Sequence, residues 1–381
     1  MQISGKAAKC ANGPCDFARS NFQGSLSSYK GWLILKLIST ISHLNKKERV
    51  VATPLRIATF NLENLDDKPG ERPSLPERIA VLRPQLLRLR ADVICFQEVH
   101  GQEFPGEPRK LDALSQLLAE TPYEWFYTAH TKTTRDEAYD VRNLVVISRY
   151  PIRDVQQIKH QFAPKPSYRK VTADPPEAAA KEIGWERPIL YVTIDLGAGR
   201  MLHVLNVHLK SKRPSNVEGQ KINNYTWRTM AGWAEGSFIS AMKRVGQALE
   251  MRILIDDIFD RLDVTGEPEY IVACGDFNDD KDEVALKAIM GPVEETGNTG
   301  LINRVMIPCE QSVPESSRFS LLHLGKKEML DHILATRQLL TYYRGTEIHN
   351  EVLHDESGAF RTDDKFPESD HAPIVAEFIL P

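Results

Sequence analysis

From residue 54 onwards the chain is built from short apolar runs, each five to eight residues long and rich in Val, Ile, Leu and aromatic residues. Such runs are typical of buried β-strands, and segments with helical spacing separate several of them. Because some of these strands follow one another directly and others alternate with helices, the pattern favours a layered α/β fold with more than one sheet over a single doubly wound sheet. The predicted strands are Leu55–Phe60, Val93–Gln97, Leu144–Ser148, Ile189–Asp195, Met201–His208, Tyr270–Cys274, Met329–Ala335 and Ile374–Phe378.

Apolar residues at intervals of three and four predict three helices, over Arg78–Arg90, Leu111–Ala119 and Met230–Leu262. Two stretches without such spacing, 163–188 and 212–227, are long for connections, so we expect surface insertions close to the functional strand ends. One face of the longest predicted helix collects Phe238, Met242, Val245, Leu249 and Ile253.

Residues 1–50 differ from the rest of the chain because they carry eight basic residues and only two acidic ones. We expect a poorly ordered or accessory N-terminal extension here, with targeting left open, followed by one catalytic domain over residues 54–381. The apolar stretch Trp32–Leu44 is interrupted by Lys36, and no run reaches the roughly 18 apolar residues that a membrane span needs. The five cysteines have no C-x-x-C spacing, which favours reduced thiols and a cytoplasmic protein.

A dense group of acidic residues follows the apolar run Ile271–Cys274 directly. We expect Gly275 to form a turn, after which Asp276 and Asn278 project from the strand end. Their i, i+2 spacing lets both side chains point the same way if the backbone stays extended, so that a carboxylate and an amide face one ligand.

A calcium-binding loop is excluded for this stretch, because Lys281 stands where such a loop needs its glycine and Lys287 where it needs its bidentate glutamate. The acids that follow Asn278 are better explained as the start of a helix, whose dipole favours negative charge near its N-terminus. These acids are Asp279, Asp280 and Asp282.

Other predicted strands also end on polar residues that suit a metal ion or a phosphate group. Each residue alone is compatible with a structural role, such as a turn cap, a core histidine or an ion pair. Together they form an acid-rich set with few histidines and no cysteine, which is typical of a site for a hard cation such as Mg²⁺ rather than Zn²⁺. The set comprises Asn61 and Glu63 in RIATFNLENL, Glu98 in ADVICFQEVH, His208 and Lys210 in HVLNVHLKSKRP, Asp331 and His332 in EMLDHILAT, and Asp370 and His371 in PESDHAPIVAEF.

The order and spacing of these motifs resemble those of the endonuclease/exonuclease/phosphatase superfamily, which includes deoxyribonucleases, abasic-site endonucleases, inositol polyphosphate 5-phosphatases and neutral sphingomyelinases. The resemblance covers roughly residues 54–379, and its G-D-x-N and S-D-H motifs are the most specific part. The matching residues are Asn61 and Glu63, Glu98, His208, Gly275-Asp276-Phe277-Asn278, Asp331 and Ser369-Asp370-His371.

The resemblance implies an α/β fold, namely a four-layer α-β-β-α sandwich of two packed mixed sheets with the site in a cleft at one edge of the sheets. It also implies Mg²⁺ or Mn²⁺, held chiefly by Glu98 with Asn61, Glu63, Asp331 and Asp370 around it. Whether one or two metal ions bind is left open.

The resemblance further implies that Asp276 is the base that activates water and that Asn278 holds a phosphate oxygen. His208 and His371 match the pair that stabilises charge on the phosphoryl group. We add the hypothesis that a carboxylate from elsewhere, Asp331, orients the His371 imidazole and raises its pKa so that it donates as a cation.

The chemistry of phosphoester hydrolysis supports these roles independently of the family. The negative charge of a phosphodiester repels nucleophiles, so catalysis needs a cation, a base for the water and donors for the developing charge. The residues at the strand ends supply a set of groups suited to all three tasks.

The choice of substrate is less constrained by the sequence than the chemistry is. The net charge of −4 provides no general attraction for anions, so the basic run with Lys210, Lys212 and Arg213 is either a solvated edge or a guide for flanking phosphates. With Lys210 and Arg213 as substrate-binding residues, we favour a Mg²⁺-dependent phosphodiesterase or nuclease acting by in-line attack of water. The alternatives are a phosphomonoesterase or lipid phosphodiesterase of the inositol-phosphate or sphingomyelinase type and, less favoured, an inactive binding protein of the same fold.

Overall fold

The helices of the chain flank two large sheets. The computed structural model describes residues 52–268, 270–358 and 365–381, and Ala52–Leu380 form one compact unit. The predictions for residues 1–50 lie outside the described residues. The helices are α1 (Leu75–Leu89), α2 (Asp112–Leu118), α3 (Met230–Thr265), α4 (Val284–Met290), α5 (Val293–Thr296) and α6 (Arg337–Leu340).

The strands include all eight that the apolar runs predict and several short or exposed ones besides. They are β1 (Thr53–Leu65), β2 (Val93–Val99), β3 (Gln102–Phe104), β4 (Glu107–Lys110), β5 (Tyr127–His130), β6 (Asn143–Ser148), β7 (Ile152–Ile158), β8 (Ser167–Tyr168), β9 (Lys181–Glu182), β10 (Ile189–Asp195), β11 (Met201–His208), β12 (Ile271–Asp276), β13 (Met306–Pro308), β14 (Leu321–His323), β15 (Lys326–Glu328), β16 (Asp331–Thr336), β17 (Tyr343–Ile348) and β18 (Ile374–Leu380).

Twelve of these strands form two six-stranded sheets of similar design. The first sheet has the order β17-β18-β1-β2-β6-β5, and the second has the order β13-β16-β12-β11-β10-β7. Each sheet is mixed, because one central pair is parallel, β1 with β2 and β11 with β12, and its other pairs are antiparallel. The parallel pairs matter for the site, since their carboxyl ends lie at the same edge of each sheet.

The inner core lies between the two sheets. Alternate residues of the central strands point into it, so that Ile57 and Cys95 of the first sheet belong to the same buried cluster as Val204 and Cys274 of the second. The Sγ atoms of Cys95 and Cys274 lie 3.2 Å apart, and both are free thiols. Burial raises the pKa of the Cys95 thiol well above its ordinary value.

The other faces of the sheets are covered by helices. Ala58, Phe60 and Phe96 of the first sheet pack against Leu82 and Leu86 of α1. The second sheet packs its outer face against α3 and α4. The central strands are therefore buried on both faces, which explains their continuous apolar runs. This arrangement confirms the predicted four-layer α-β-β-α sandwich.

The apolar residues of the long helix α3 are buried to different degrees. Phe238 and Leu249 are 51% and 49% exposed and Val245 is partly buried, whereas Met251 and Phe259 are buried against the second sheet. The helical spacing of the apolar residues does not distinguish these positions, which differ only in how they pack against the sheet.

Two buried carboxylates of α3 hold the predicted insertion 163–188 and its flanks. Glu235 accepts hydrogen bonds from the Tyr168 hydroxyl (2.8 Å) and from the Thr172 amide (2.8 Å). Glu250 accepts hydrogen bonds from the Gln161 amide (2.7 Å) and the Trp185 indole (3.1 Å). Because these acceptors satisfy loop donors, the segment is folded onto the helix.

Among the described residues, no helix is long and apolar enough to cross a membrane.

Candidate active site

Register across the second sheet places three of the predicted site residues side by side. His208 is the partner of Asp276 in the parallel pair β11 and β12, and Asp276 is the partner of Asp331 in the antiparallel pair β12 and β16. In the first sheet, Asn61 of β1 pairs with Gln97, and Glu98 follows directly. Both sheets thus carry polar residues to the same edge of the sandwich.

The Asp276 carboxylate lies at the centre of the site and joins the two sheets. Its Oδ2 atom accepts a hydrogen bond from the Asn61 amide (3.1 Å) and lies 3.2 Å from Nε2 of His208. Nε2 of His371 lies 4.0 Å from the same oxygen. His208 Nε2 is also 3.7 Å from Oε1 of Glu98. Two imidazoles, one amide and a second carboxylate therefore surround Asp276.

His371 is oriented by Asp331, as we hypothesised from the sequence. Its Nδ1 atom lies 2.6 Å from Oδ2 of Asp331, and both residues are buried. Burial by itself would lower the pKa of His371, but the charge and hydrogen bond of Asp331 raise that pKa well above its ordinary value. By contrast, burial and nearby cations such as Arg187 lower the pKa of His208, which favours a neutral imidazole there.

Several carboxyl groups lie close together in this buried site, and such surroundings disfavour their charged form. Burial raises the pKa of Asp276 to about 7, and repulsion from Asp331 and Glu98 adds to the effect while His371 opposes it. Burial and repulsion from Asp370 raise the pKa of Glu63 to about 8, and Asp370 itself reaches about 7, mainly through burial. A bound cation would relieve this crowding, because it stabilises the charged form of each carboxylate.

The donors present fit a hard divalent cation. Ligand atoms of Asp276, Asp331 and His371 all lie within 4.8 Å of one another. Oδ1 of Asp331 is buried and has no hydrogen-bond partner among the described residues, so it is available as a ligand. Carboxylate oxygens of this kind are what Mg²⁺ prefers.

The other predicted metal ligands lie close by but make protein contacts of their own. Oε2 of Glu63 accepts the Asp370 amide (3.1 Å), and Oε2 of Glu98 accepts the Asn64 amide (3.1 Å). Oδ1 of Asn61 accepts the Glu63 amide (3.0 Å). Of the five predicted ligands, only Asp331 belongs to the compact group, and the metal-binding role of the other four stays a prediction.

Two expectations about the Gly275–Asn278 segment were wrong. Gly275 is not a turn, because it lies within β12 with φ +141°, and a Cβ atom there would lie 2.0 Å from the Val207 carbonyl oxygen. The backbone is not extended at Asn278, whose φ is +51°. Instead, the Asn278 amide N–H donates to Oδ1 of Asp276 (2.9 Å), and its side chain donates to the Leu209 carbonyl (3.1 Å). Asn278 is held beside Asp276 by a local turn.

Asp279 is a buried residue with defined partners, rather than a solvated residue at the start of a helix. It is 2% exposed, its Oδ1 lies 2.8 Å from Nε of Arg244, and its Oδ2 accepts the Ala285 amide (3.0 Å) in the first turn of α4. Asp282 is exposed and pairs with the neighbouring Lys281 (2.7 Å). Helix α4 does begin at Val284, so the prediction of a helix after these acids was correct.

A cleft of about 600 Å³ opens above Asp276, with Lys210 and Arg213 along its wall. The Lys210 ammonium donates to the Arg213 carbonyl (3.1 Å), while the Arg213 guanidinium lies over the Tyr225 ring at 5.2 Å. Burial, and cations such as Lys243, lower the pKa of Lys210 to about 8. Lys212 is partly neutralised by Glu283 at 2.6 Å. The position of Lys210 and Arg213 agrees with substrate binding, which stays a prediction.

Sequence reasoning missed Arg187 and Arg78. Arg187 lies in the cleft and donates to the His208 carbonyl (2.9 Å). Arg78 is buried under the end of β1 and donates to the carbonyls of Leu62 (2.8 Å) and Glu63 (3.0 Å). For Arg78, the only signal in the sequence was its position on the apolar stripe of a predicted helix. Arg187 lies in an irregular segment, and no sequence pattern indicated it.

Carboxylates and imidazoles gathered at the strand ends of two packed sheets define a phosphoester hydrolase. A family model described as the Endonuclease/Exonuclease/phosphatase family matches residues 58–371. The chain belongs to this family, which confirms the resemblance of its motifs.

Solved structures similar to this chain have low sequence identity to it. A protein of the same family from Bacteroides thetaiotaomicron is 14% identical with a TM-score of 0.51, over 87% of this chain and 96% of that one. Truncated TDP2 from Caenorhabditis elegans is 14% identical with a TM-score of 0.49, over 86% of this chain and 98% of that one. The 3′ phosphatase NExo from Neisseria, bound to a product DNA hairpin, is 14% identical with a TM-score of 0.45, over 85% and 99%. No curated protein matches the chain.

Proposed function

We propose that this protein is a divalent-metal-dependent phosphodiesterase and that nucleic acid is its favoured substrate. The observation that carries the proposal is the Asp276 carboxylate, buried at the cleft floor with Oδ2 between the Asn61 amide and two imidazoles. A carboxylate held in this way is positioned to take a proton from an attacking water. A bound cation would lower the raised pKa of Asp276 and so favour the carboxylate form that a general base needs near neutral pH.

The two histidines are suited to stabilise negative charge on the phosphoryl group. The Asp331 carboxylate favours the imidazolium form of His371, so this side chain can direct a charged N–H towards the cleft from Nε2. Nε2 of His208 lies 3.2 Å from Oδ2 of Asp276, and the Arg187 guanidinium donates to the His208 carbonyl group. Donors already fixed by the protein need little rearrangement when charge develops.

A divalent metal completes the proposal. Asp331 is the best-placed ligand, since its Oδ1 atom has no partner among the described residues, and Glu98, Glu63, Asn61 and Asp370 are the further predicted ligands. When bound, Mg²⁺ or Mn²⁺ would supply a Lewis acid that neutralises phosphate charge. Within the protein itself, Asp276 takes the proton and the histidines hold the phosphoryl oxygens.

The preference for nucleic acid rests on the charge of the cleft wall. Lys210, Arg213, Arg142 and Arg187 all line the cleft. Because the whole chain carries a net charge of −4, these side chains are a local concentration of positive charge. Flanking phosphates of a polynucleotide would contact such a wall, whereas a small phosphomonoester would not need it.

The test is a substrate panel with purified protein. Single- and double-stranded DNA, RNA, abasic DNA, inositol phosphates, a phosphomonoester and sphingomyelin are each incubated with Mg²⁺, with Mn²⁺ and with a chelator. We expect hydrolysis of a polynucleotide that stops with chelator and falls about 10²- to 10⁴-fold in Asp276→Asn. The matched control is Asp282→Asn, the same substitution at an exposed acid of the same segment, which should retain activity.

Three outcomes contradict the proposal at different levels. Turnover that survives Asp276→Asn or the chelator would refute the mechanism. Hydrolysis of only inositol phosphates, a phosphomonoester or sphingomyelin would support the alternative enzyme classes and refute the nucleic-acid preference. Silence across the whole panel would favour a binding protein of the same fold.

A further inference from the structure

A further buried histidine lies directly behind the Asp276 segment and takes no part in the proposed chemistry. His332 is 1% exposed, and its Nδ1 atom lies 2.5 Å from Oε1 of Glu310, which is 0% exposed. Its other ring nitrogen, Nε2, lies 2.9 Å from the backbone carbonyl of Asp279. A carbonyl oxygen only accepts hydrogen bonds, so Nε2 carries a proton, and both ring nitrogens are committed.

Glu310 is fixed in turn by the strand that carries His332. Its Oε2 atom accepts the amide of Ile333 at 3.4 Å, so the carboxyl group spans the side chain of one residue and the backbone of the next. The His332 ring also contacts the Phe277 ring edge to face at 5.5 Å. These contacts leave the imidazole a single orientation, aimed at the turn that follows Asn278.

Further polar contacts lead from that turn to Arg244 and to the backbone of Lys210. Nε of Arg244, on helix α3, lies 2.8 Å from Oδ1 of Asp279. The same guanidinium donates through Nη1 to the Lys210 carbonyl at 3.2 Å. A chain of polar contacts thus runs from Glu310 through His332, Asp279 and Arg244 to the basic run that begins at Lys210.

Burying these polar groups costs free energy, which apolar side chains packed in the same space would not cost. Ion pairs placed in a protein interior are often no more stable than apolar residues of similar volume. The contacts of His332 with Glu310 and with the Asp279 carbonyl instead fix one arrangement of the groups that they join. Those groups include the backbone at Asp279, next to Asn278 of the proposed site.

We infer that His332 and Glu310 are positioning residues, which hold the turn after Asn278 so that Asp276 and Asn278 keep their place relative to the cleft wall. This inference rests on the proposed function for its effect on turnover. It makes a separate prediction about the structure of the turn. Neither residue touches the substrate.

The test uses His332→Gln and the milder, isosteric Glu310→Gln in the full chain. The matched control is His203→Gln, since His203 is also a buried histidine of the second sheet, paired with the Tyr191 hydroxyl (2.7 Å) at a distance along β11 from the strand end. Two readouts are measured on protein shown to be folded: steady-state kinetics on the phosphoester that the wild type hydrolyses, and amide hydrogen exchange of residues 277–280.

We expect kcat to fall about 10- to 100-fold in His332→Gln, with KM within about threefold of wild type, because the base is displaced while the basic wall remains. Glu310→Gln should show a smaller fall of the same kind. Hydrogen exchange of residues 277–280 should accelerate in both variants, and His203→Gln should change neither kcat nor this exchange.

The two readouts separate failure of this inference from failure of the proposed function. If no substrate is hydrolysed by the wild type, the hydrogen-exchange comparison still tests the positioning role. Unchanged exchange in residues 277–280 of Glu310→Gln and of folded His332→Gln would overturn the inference, as would a loss of kcat that His203→Gln matches. If His332→Gln does not fold, the result for Glu310→Gln decides.

Discussion

Gly275 is the position at which the smallest change should have the largest effect on stability. It lies in β12 with φ +141°, beside Val207 of the parallel neighbour β11. In Gly275→Ala the new Cβ atom would lie 2.0 Å from the Val207 carbonyl oxygen and 2.9 Å from its carbonyl carbon, whereas ordinary contacts begin at 3.4 Å. The clash involves backbone on both sides, so no side-chain rotation relieves it.

The size of the effect follows from two contributions. A non-glycine residue forced into this region of φ costs about 1–3 kcal/mol. Opening the β11–β12 ladder by the ångström or more that the clash demands would weaken local hydrogen bonds that contribute about 1 kcal/mol each. We therefore expect Gly275→Ala to lower the free energy of unfolding by roughly 3–5 kcal/mol and Tm by roughly 4–7 °C.

The matched control is Gly345→Ala in the edge strand β17. No atom lies within 4 Å of a Cβ built at Gly345, so this substitution should be neutral or slightly stabilising, by up to about 1 kcal/mol. Urea and thermal unfolding of both variants, followed by circular dichroism, measure the difference. A free energy of unfolding for Gly275→Ala within about 1 kcal/mol of the control would show that close approach to Val207 is not why glycine is needed.

Two further predictions concern buried polar groups away from the cleft. Burial and the Arg261 cation lower the pKa of His203 to about 4, so the unfolded chain, with a value near 6.5, binds its proton first as pH falls. Between pH 7 and pH 4.5, the free energy of unfolding should therefore fall by about 2–3 kcal/mol more in the wild type than in His203→Gln. Equal losses in urea titrations of the two proteins would contradict this. Glu235→Gln places an amide donor among the donors of the 163–188 segment, so limited proteolysis of that segment should be faster than in the wild type. The control is the same substitution at an exposed residue, Glu182→Gln. Equal cleavage rates in the two variants would refute the anchoring role of Glu235.

The sequence predicted the central strands best, because burial on both faces leaves a clear signal. The boundaries of β10 and β11 agree with the prediction to the residue. Strand β1 was predicted as Leu55–Phe60 but extends over Thr53–Leu65, since its hydrogen bonds continue past the apolar run. Exposed strands such as β7, where Arg153 to Gln156 face solvent, carry no apolar period and were missed.

The members of the candidate site could be found from the sequence, but their contacts could not. Polar residues at the ends of apolar runs converge because parallel neighbours end at one edge, as His208 and Asp276 do. The hydrogen bond from the Asn278 side chain to Leu209 and the pairing of Glu310 with His332 join segments that meet only in the folded chain. Local spacing contains no information about such partners.

The position of β18 has a consequence for synthesis on the ribosome. Strand β18 pairs with β1, so that Thr53 lies opposite Leu380, and His371 enters the site just before this strand. A nascent chain that has emerged only as far as residue 336 already contains Glu98, Asp276 and Asp331 but leaves one edge of β1 unpaired. Such a chain lacks the imidazole partner of Asp331 and exposes a sheet edge that can pair wrongly. The site therefore lacks His371 until the chain that forms β18 has been made and can pair with β1.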